Sequence, residues 1–377
     1  MRQNLLVATC TVCALAGSAN GQLVFDFSSG PGLTALFTSD PVKASGIVSG
    51  VSAAAAKWSS LLSDSVTLKL EIDYEPTLPA LGAAYSTFIP GGFTYSSVHT
   101  GLLADATSPF DMTAITHLQP GPALKVWRND MLAGPPYAPV LDAGMSLNNM
   151  SMDIPTSNAK ALGLMPPHAG GPGADGTITF GSAPFDFDPT DGITPGTYDF
   201  VGVALHEIAH NMGFISGVDT MTTLLPPGGF GPGGDPDPLV IATALDLFRY
   251  STDSVAAGPF VPDISLPVPG FSPVRYFSID GGASIIDLFS TGVGLMGDFK
   301  GAGHWKDDPF VGLMDPELLA GFALTSAFTS LTSGPTPSID LMALDVIGWN
   351  VIPVPAPGSA AALGLSALLM TGRRRRT

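Results

Sequence analysis

One stretch restricts this chain more than any other: HEIAHNMGF, His206 to Phe214. On a helix, residues four apart share a face. His206 and His210 can therefore each aim a ring nitrogen at one point, with Glu207 beside them. With six histidines and four glutamates in the chain, shuffling would produce H-E-x-x-H roughly once in a thousand sequences. Val201, Ala204, Leu205, Ile208, Ala209 and Met212 recur at helical spacing on the adjoining face, which predicts a buried helix. Asp199 or Thr197 can cap its start, and Gly213 can end it.

The balance of charge excludes one class of partner. Thirty-two acids face 15 Lys and Arg, for a net charge of −17, which disfavours nucleic acid and suits a soluble exported protein. Most acids are Asp beside Gly or Pro and read as solvated turns. Gly 45 and Pro 35 predict many loops. The two cysteines, Cys10 and Cys13, form C-x-x-C, but both lie in an apolar N-terminal run. That run, with Arg2 before it and Ala19-Asn20-Gly21 after it, reads as a signal peptide over residues 1–21. The processed chain then has no cysteine, hence no disulfides and no thiolate to block a metal.

Residues 22–351 read as one domain, with subdomains meeting near residue 213. Ile47, Val51, Ala54, Ala55, Trp58, Leu61 and Leu62 predict a helix. Val66, Leu68, Leu70, Ile72 and Tyr74 alternate with polar residues and predict a half-buried strand. AAYSTF and GGFTYSSV are strand candidates, and SPFDMTAITHL a short helix. His99, His117 and His168 carry no assignment. Asp175-Gly176 suits a hairpin turn, and TITFGS a short strand; the likeness of HEIAHNMGF to the metal helix of zincin proteases implies that this preceding strand holds an extended substrate by edge pairing. Asp186, Asp188 and Asp191 with Gly192 depart from the D-x-D-x-D-G spacing of a calcium loop; a plain loop is expected, with bound Ca²⁺ as the alternative. PPGGFGPGGDPDP reads as a surface loop, TALDLFRYS as helix or strand, and DLMALDVIGW as a closing helix.

Two imidazoles do not complete a hydrolytic zinc site, which needs three protein ligands and one open position. The compact motif H-E-x-x-H-x-x-G-x-x-H would supply the third, but its last position here is Ser216. Asp219, His304 and Glu317 are the downstream candidates.

HEIAHNMGF followed much later by GHWKDDPFVGLMDP resembles the leishmanolysin branch of the metzincin zinc proteases. It also resembles secreted bacterial zinc proteases with PEP-CTERM tails, which share stretches like TALDLFRYS and ALDVIGW. The resemblance covers roughly His206 to Trp349. It implies an α+β, zincin-like domain: a mixed twisted sheet, an active-site helix and a loop-rich C-terminal subdomain. It implies one Zn²⁺ held by His206, His210 and His304, with Gly213 at the helix end and Met314 packed beneath the metal. Leishmanolysins are cysteine-rich; their disulfides and thiol latency do not carry over to this chain.

The expected activity is that of a secreted zinc endopeptidase acting on proteins or peptides. Zinc would activate a water, with Glu207 as general base. The competing readings are an inactive cell-surface binding or matrix protein on the same scaffold, and a hydrolase of non-peptide bonds. The end of the chain, VPAPG, a short apolar run and RRRR, is similar to a PEP-CTERM sorting signal over residues 352–377, with Ala356 where that motif has Glu. The resemblance implies export by the general secretory route of a Gram-negative-type bacterium. It also implies processing by signal peptidase and an exosortase-type enzyme, with transient membrane association through the tail.

Overall fold

The structure, a computed structural model, describes residues 22–224, 234–293, 296–307, 312–324 and 338–352. The expected signal peptide (1–21), the expected sorting tail from residue 353 on and most of the Gly/Pro loop after residue 224 lie outside them. No helix among the described residues is long and apolar enough to cross a membrane.

An α+β architecture grows from a mixed four-stranded sheet. Strand β1 (Val24–Ser29) runs parallel to β2 (Thr67–Tyr74), and helices α1 (Pro31–Ser39) and α2 (Pro41–Leu61) connect them. The expected helix over 46–62 thus begins earlier, because Asp40 caps it by accepting from Lys43 N at 3.0 Å and Pro41 suits a first turn. In β2, Leu68, Leu70 and Ile72 are buried and their polar neighbours are not, following the alternation in the sequence.

Strand β3 (Gly82–Ser86) does not pair with β2. A later strand, Gly176–Phe180, inserts between them, parallel to β2 and antiparallel to β3. This corrects two expectations. TITFGS is an interior strand, paired on both sides, and the edge belongs to β3. Asp175 makes no hairpin turn: its buried carboxylate pairs with Lys160 at 2.5 Å and accepts from Thr156 Oγ1 and Lys69 N, each at 2.8 Å. A buried charge is retained where a partner and hydrogen bonds satisfy it, and here it ties Lys160 to the sheet.

A third correction concerns GGFTYSSV. Only Phe93–Thr94 is extended, and α3 (Tyr95–Asp105) follows. Thr94 caps it through Ser97 N at 3.2 Å, and the buried residues Tyr95, Val98 and Leu102 follow helical spacing. Helix α4 (Pro109–Ile115) lies within SPFDMTAITHL, opened by a capping box between Ser108 and Asp111.

Helix α5 (Phe200–Asn211) carries the H-E-x-x-H residues and packs on α2, with Trp58 Nε1 donating to Leu205 O at 3.2 Å. Beyond it come α6 (Gly217–Leu224), short helical turns, two-residue strands and the closing helix α7 (Ile339–Val346). TALDLFRYS divides into a 3₁₀ turn, Leu245–Phe248, and a strand pair, Arg249–Tyr250. Trp349 Nε1 donates to Met212 O at 2.7 Å, which fastens the segment after α7 against the end of α5.

Candidate metal centre

Helix α5 is built as its residues require. Asp199 accepts from Gly202 N at 2.9 Å and caps the start. Its apolar stripe is buried, from Val201 to Met212. Gly213 ends it at φ +110°, a conformation that side-chain-bearing residues rarely adopt. That turn brings Phe214 O back to accept from His210 Nδ1 at 2.7 Å.

Three imidazoles converge at one point. His210 Nε2 lies 3.0 Å from His206 Nε2 and 3.2 Å from His304 Nε2. Each Nδ1 meets a backbone carbonyl: Leu313 O for His206 at 2.8 Å, Phe214 O for His210, and Gly301 O for His304 at 2.9 Å. A carbonyl only accepts, so each Nδ1 carries the proton and each Nε2 presents a lone pair. Three lone pairs at this separation repel one another unless a cation lies between them. Tetrahedral zinc with bonds of about 2.0–2.1 Å would set its nitrogens about 3.3 Å apart. Among the described residues, this is the one group of three or more candidate ligands that could hold a metal ion.

Burial holds all three rings neutral. His206 is lowered to about 3, and His210 well below the usual range, by burial and then by the neighbouring rings. His304 is lowered too, chiefly by burial. Neutral imidazole is the form that binds a metal. Glu207 is 6 % exposed, and burial pushes its carboxyl up to about 8.

The other candidates are engaged elsewhere. Asp219 accepts from Ala302 N at 2.9 Å and Gly303 N at 3.4 Å. Glu317, half exposed, pairs with Lys300. Ser216, at the compact motif's third-ligand position, donates to Asp246 at 2.6 Å, and Asp246 also accepts from Gly217 N and Thr243 N. This carboxylate turns the chain into α6 where the compact motif would carry a ligand. Met314 is fully buried and directly follows Leu313, whose carbonyl orients His206.

A cleft of about 920 Å³ opens over the imidazoles, with β3 along one wall. Leu81 O accepts from Gly181 N, and Thr87 N donates to Asp175 O. Antiparallel residues alternate between facing the partner strand and facing away. The N–H and C=O groups of Gly82 and Ala84 therefore point away from the sheet, along its cleft edge. Gly82 presses against Glu207: a β-carbon there would stand 2.7 Å from Glu207 Oε1.

Sequence reasoning missed Gly82, Asp246 and Asp340. Asp340 accepts from Trp305 Nε1, Leu313 N and Met314 N, at 2.8, 2.9 and 3.1 Å, so one carboxylate joins the His304 and Met314 segments. For Asp340 the available signal was an acid that opens a largely apolar helical pattern, DLMALDV.

The unassigned histidines lie elsewhere. His99 packs on Tyr95, His117 bonds Thr113 O, and His168 bonds Thr67. Asp186 and Asp188 accept from Thr194 and Thr190, which makes their loop a set of closed turns. Comparison with known protein families, with curated proteins and with solved structures finds no match.

Proposed function

We propose that the chain is a zinc-dependent endopeptidase of the zincin class, of the metzincin, leishmanolysin-like branch. The observation that carries this reading is the convergence of three neutral imidazoles beside a carboxylate that faces a cleft. His206, His210 and His304 would hold the ion. Zinc, when bound, supplies Lewis acidity toward a carbonyl oxygen and toward water.

The chain's own groups would do the rest. Glu207 is placed to take a proton from an attacking water and to hand it to the departing amine. Gly82 and Ala84 offer main-chain groups to an extended peptide, which would add to the sheet as a further strand. The cleft floor excludes bulk water from Glu207, which is why its proton affinity is high before metal binds. We propose also that the protein is exported, and that its PEP-CTERM-like tail is cut after export; mass spectrometry of both mature termini tests this.

The test of activity is zinc content together with casein hydrolysis, for the wild type and Glu207→Gln. One zinc per chain, with hydrolysis abolished in the variant, is expected. Absence of zinc, or hydrolysis unchanged by the substitution, would sink the reading. An inactive binding protein would hold zinc and leave casein intact.

A further inference from the structure

The third ligand reaches the site from a turn, GAGH, Gly301 to His304, which is itself part of no helix or strand. Both faces of this turn are engaged by charged side chains, the partly buried Asp219 and the buried Arg249. On the donor side, Asp219 accepts from Ala302 N at 2.9 Å and from Gly303 N at 3.4 Å. On the acceptor side, Arg249 donates from Nη1 to Ala302 O at 3.3 Å and from Nη2 to Ser290 O at 2.7 Å. Ser290 N in turn donates to His304 O at 3.0 Å. Arg249 is 1 % exposed, and its guanidinium lies 5.0 Å from the centre of the Phe289 ring.

We propose that Asp219 and Arg249 are positioning residues for His304, forming a two-sided clamp that sets the third imidazole before a metal arrives. The proposal rests on the metal-site reading above. Asp219 stands on α6, which follows the H-E-x-x-H helix after a short turn, so the clamp joins the two parts of the site. Hydrogen bonds to charged partners are stronger than neutral ones. A loop already held in its binding conformation loses less freedom when it binds. Without the clamp, His304 must be ordered at the expense of metal affinity, and losing such a supporting partner typically weakens binding by about 10–100-fold.

The experiment measures zinc affinity of the whole chain by competition with a chromophoric chelator, for wild type, Asp219→Ala, Asp219→Asn and Arg128→Met. Arg128 pairs with Asp142 and Asp237 outside the site, so its variant controls for lost stability alone. Asp219→Ala should weaken zinc binding by about 10–100-fold. Asp219→Asn should weaken it less, because an amide oxygen still accepts one N–H. The Co²⁺-loaded Asp219→Ala protein should show altered ligand-field bands. Arg128→Met should lower the melting temperature and leave zinc affinity unchanged. Equal affinity in Asp219→Ala and wild type overturns the clamp and leaves the metal site standing. So does an equal loss of affinity in Arg128→Met. A wild type that binds no zinc overturns the metal site and the clamp together.

Discussion

Among the clusters of titratable groups in the described residues, two solve the same problem differently. One is the imidazole triad. The other gathers Asp64, Asp105, Asp111 and Asp345 around Asn350 and Ser108. Asn350 donates to Asp105 at 2.8 Å and, from its backbone, to Asp64 at 2.9 Å. Ser108 and Thr107 donate their backbone N–H groups to Asp111, each at 3.0 Å, and the Ser108 hydroxyl donates to Asp345. Burial drives both clusters toward their neutral forms. The carboxyls of Asp105 and Asp345 are each pushed up to about 7, and those of Asp64 and Asp111 are raised, in every case chiefly by burial. The difference lies in where the lone pairs go. Each carboxylate in the second cluster accepts from a hydroxyl, an amide or a backbone N–H. Each imidazole in the first has spent its proton on a carbonyl and turns its lone pair toward the other two. Convergent lone pairs without donors ask for a cation; a satisfied carboxylate cluster serves as a joint between chain segments.

Substitutions can break that contrast, beginning with the largest effect. Glu207→Gln should reduce hydrolysis by about 10²–10⁴-fold while zinc still binds, read by steady-state kinetics and metal analysis. Asp345→Asn, in the other cluster, should leave hydrolysis unchanged. Next, His304→Ala should weaken zinc binding by more than the about 10–100-fold expected of a supporting partner, measured by chelator competition. Retained affinity would remove His304 from the ligand set.

The pH dependence of the metal-free protein should carry both signs. The lowered histidines bind fewer protons folded than unfolded, so their effect is to reduce stability as pH falls through about 6.5, their unfolded value. The raised aspartates bind more protons folded than unfolded. Their contribution is fully present below about 3.9 and is lost as pH rises to about 7. Asp345→Asn should therefore flatten the decline between about pH 4 and 7 by about 1–3 kcal/mol, followed by urea denaturation in chelator. An unchanged slope would show that Asp345 is not the titrating group. The smallest effect is expected at Gly82→Ala. A methyl group there displaces the Glu207 carboxyl, and hydrolysis should fall about tenfold through kcat, as a small misplacement of a catalytic group does, with zinc affinity unaltered.

Much of the framework was legible because local spacing controls it. The apolar period around HEIAHNMGF and the alternation from Val66 to Tyr74 each imply one element and one buried face. Asp199 and Gly213 mark the ends of the motif helix in a form visible in one dimension. GGFTYSSV misled because β-branched and aromatic residues suit strands, whereas Tyr95, Val98 and Leu102 are spaced for a helix and Thr94 caps it. The edge of the sheet was not legible either. Nothing local to TITFGS reveals that this later strand slips between β2 and β3, since strand order depends on contacts ninety or more residues apart.

By itself, then, the sequence determined a capped amphipathic helix that presents two imidazoles and a carboxylate on one side. Helical geometry places residues four apart whatever surrounds them. The tertiary structure alone decided which distant histidine meets them, which strand borders the cleft, and which carboxylates are occupied as braces. Those outcomes depend on long-range packing: Asp340 joining the His304 and Met314 segments, Asp219 and Arg249 on either side of a four-residue turn, and Gly82 against Glu207. HEIAHNMGF supplies two of the three nitrogens, and the fold brings the third to within 3.2 Å of His210.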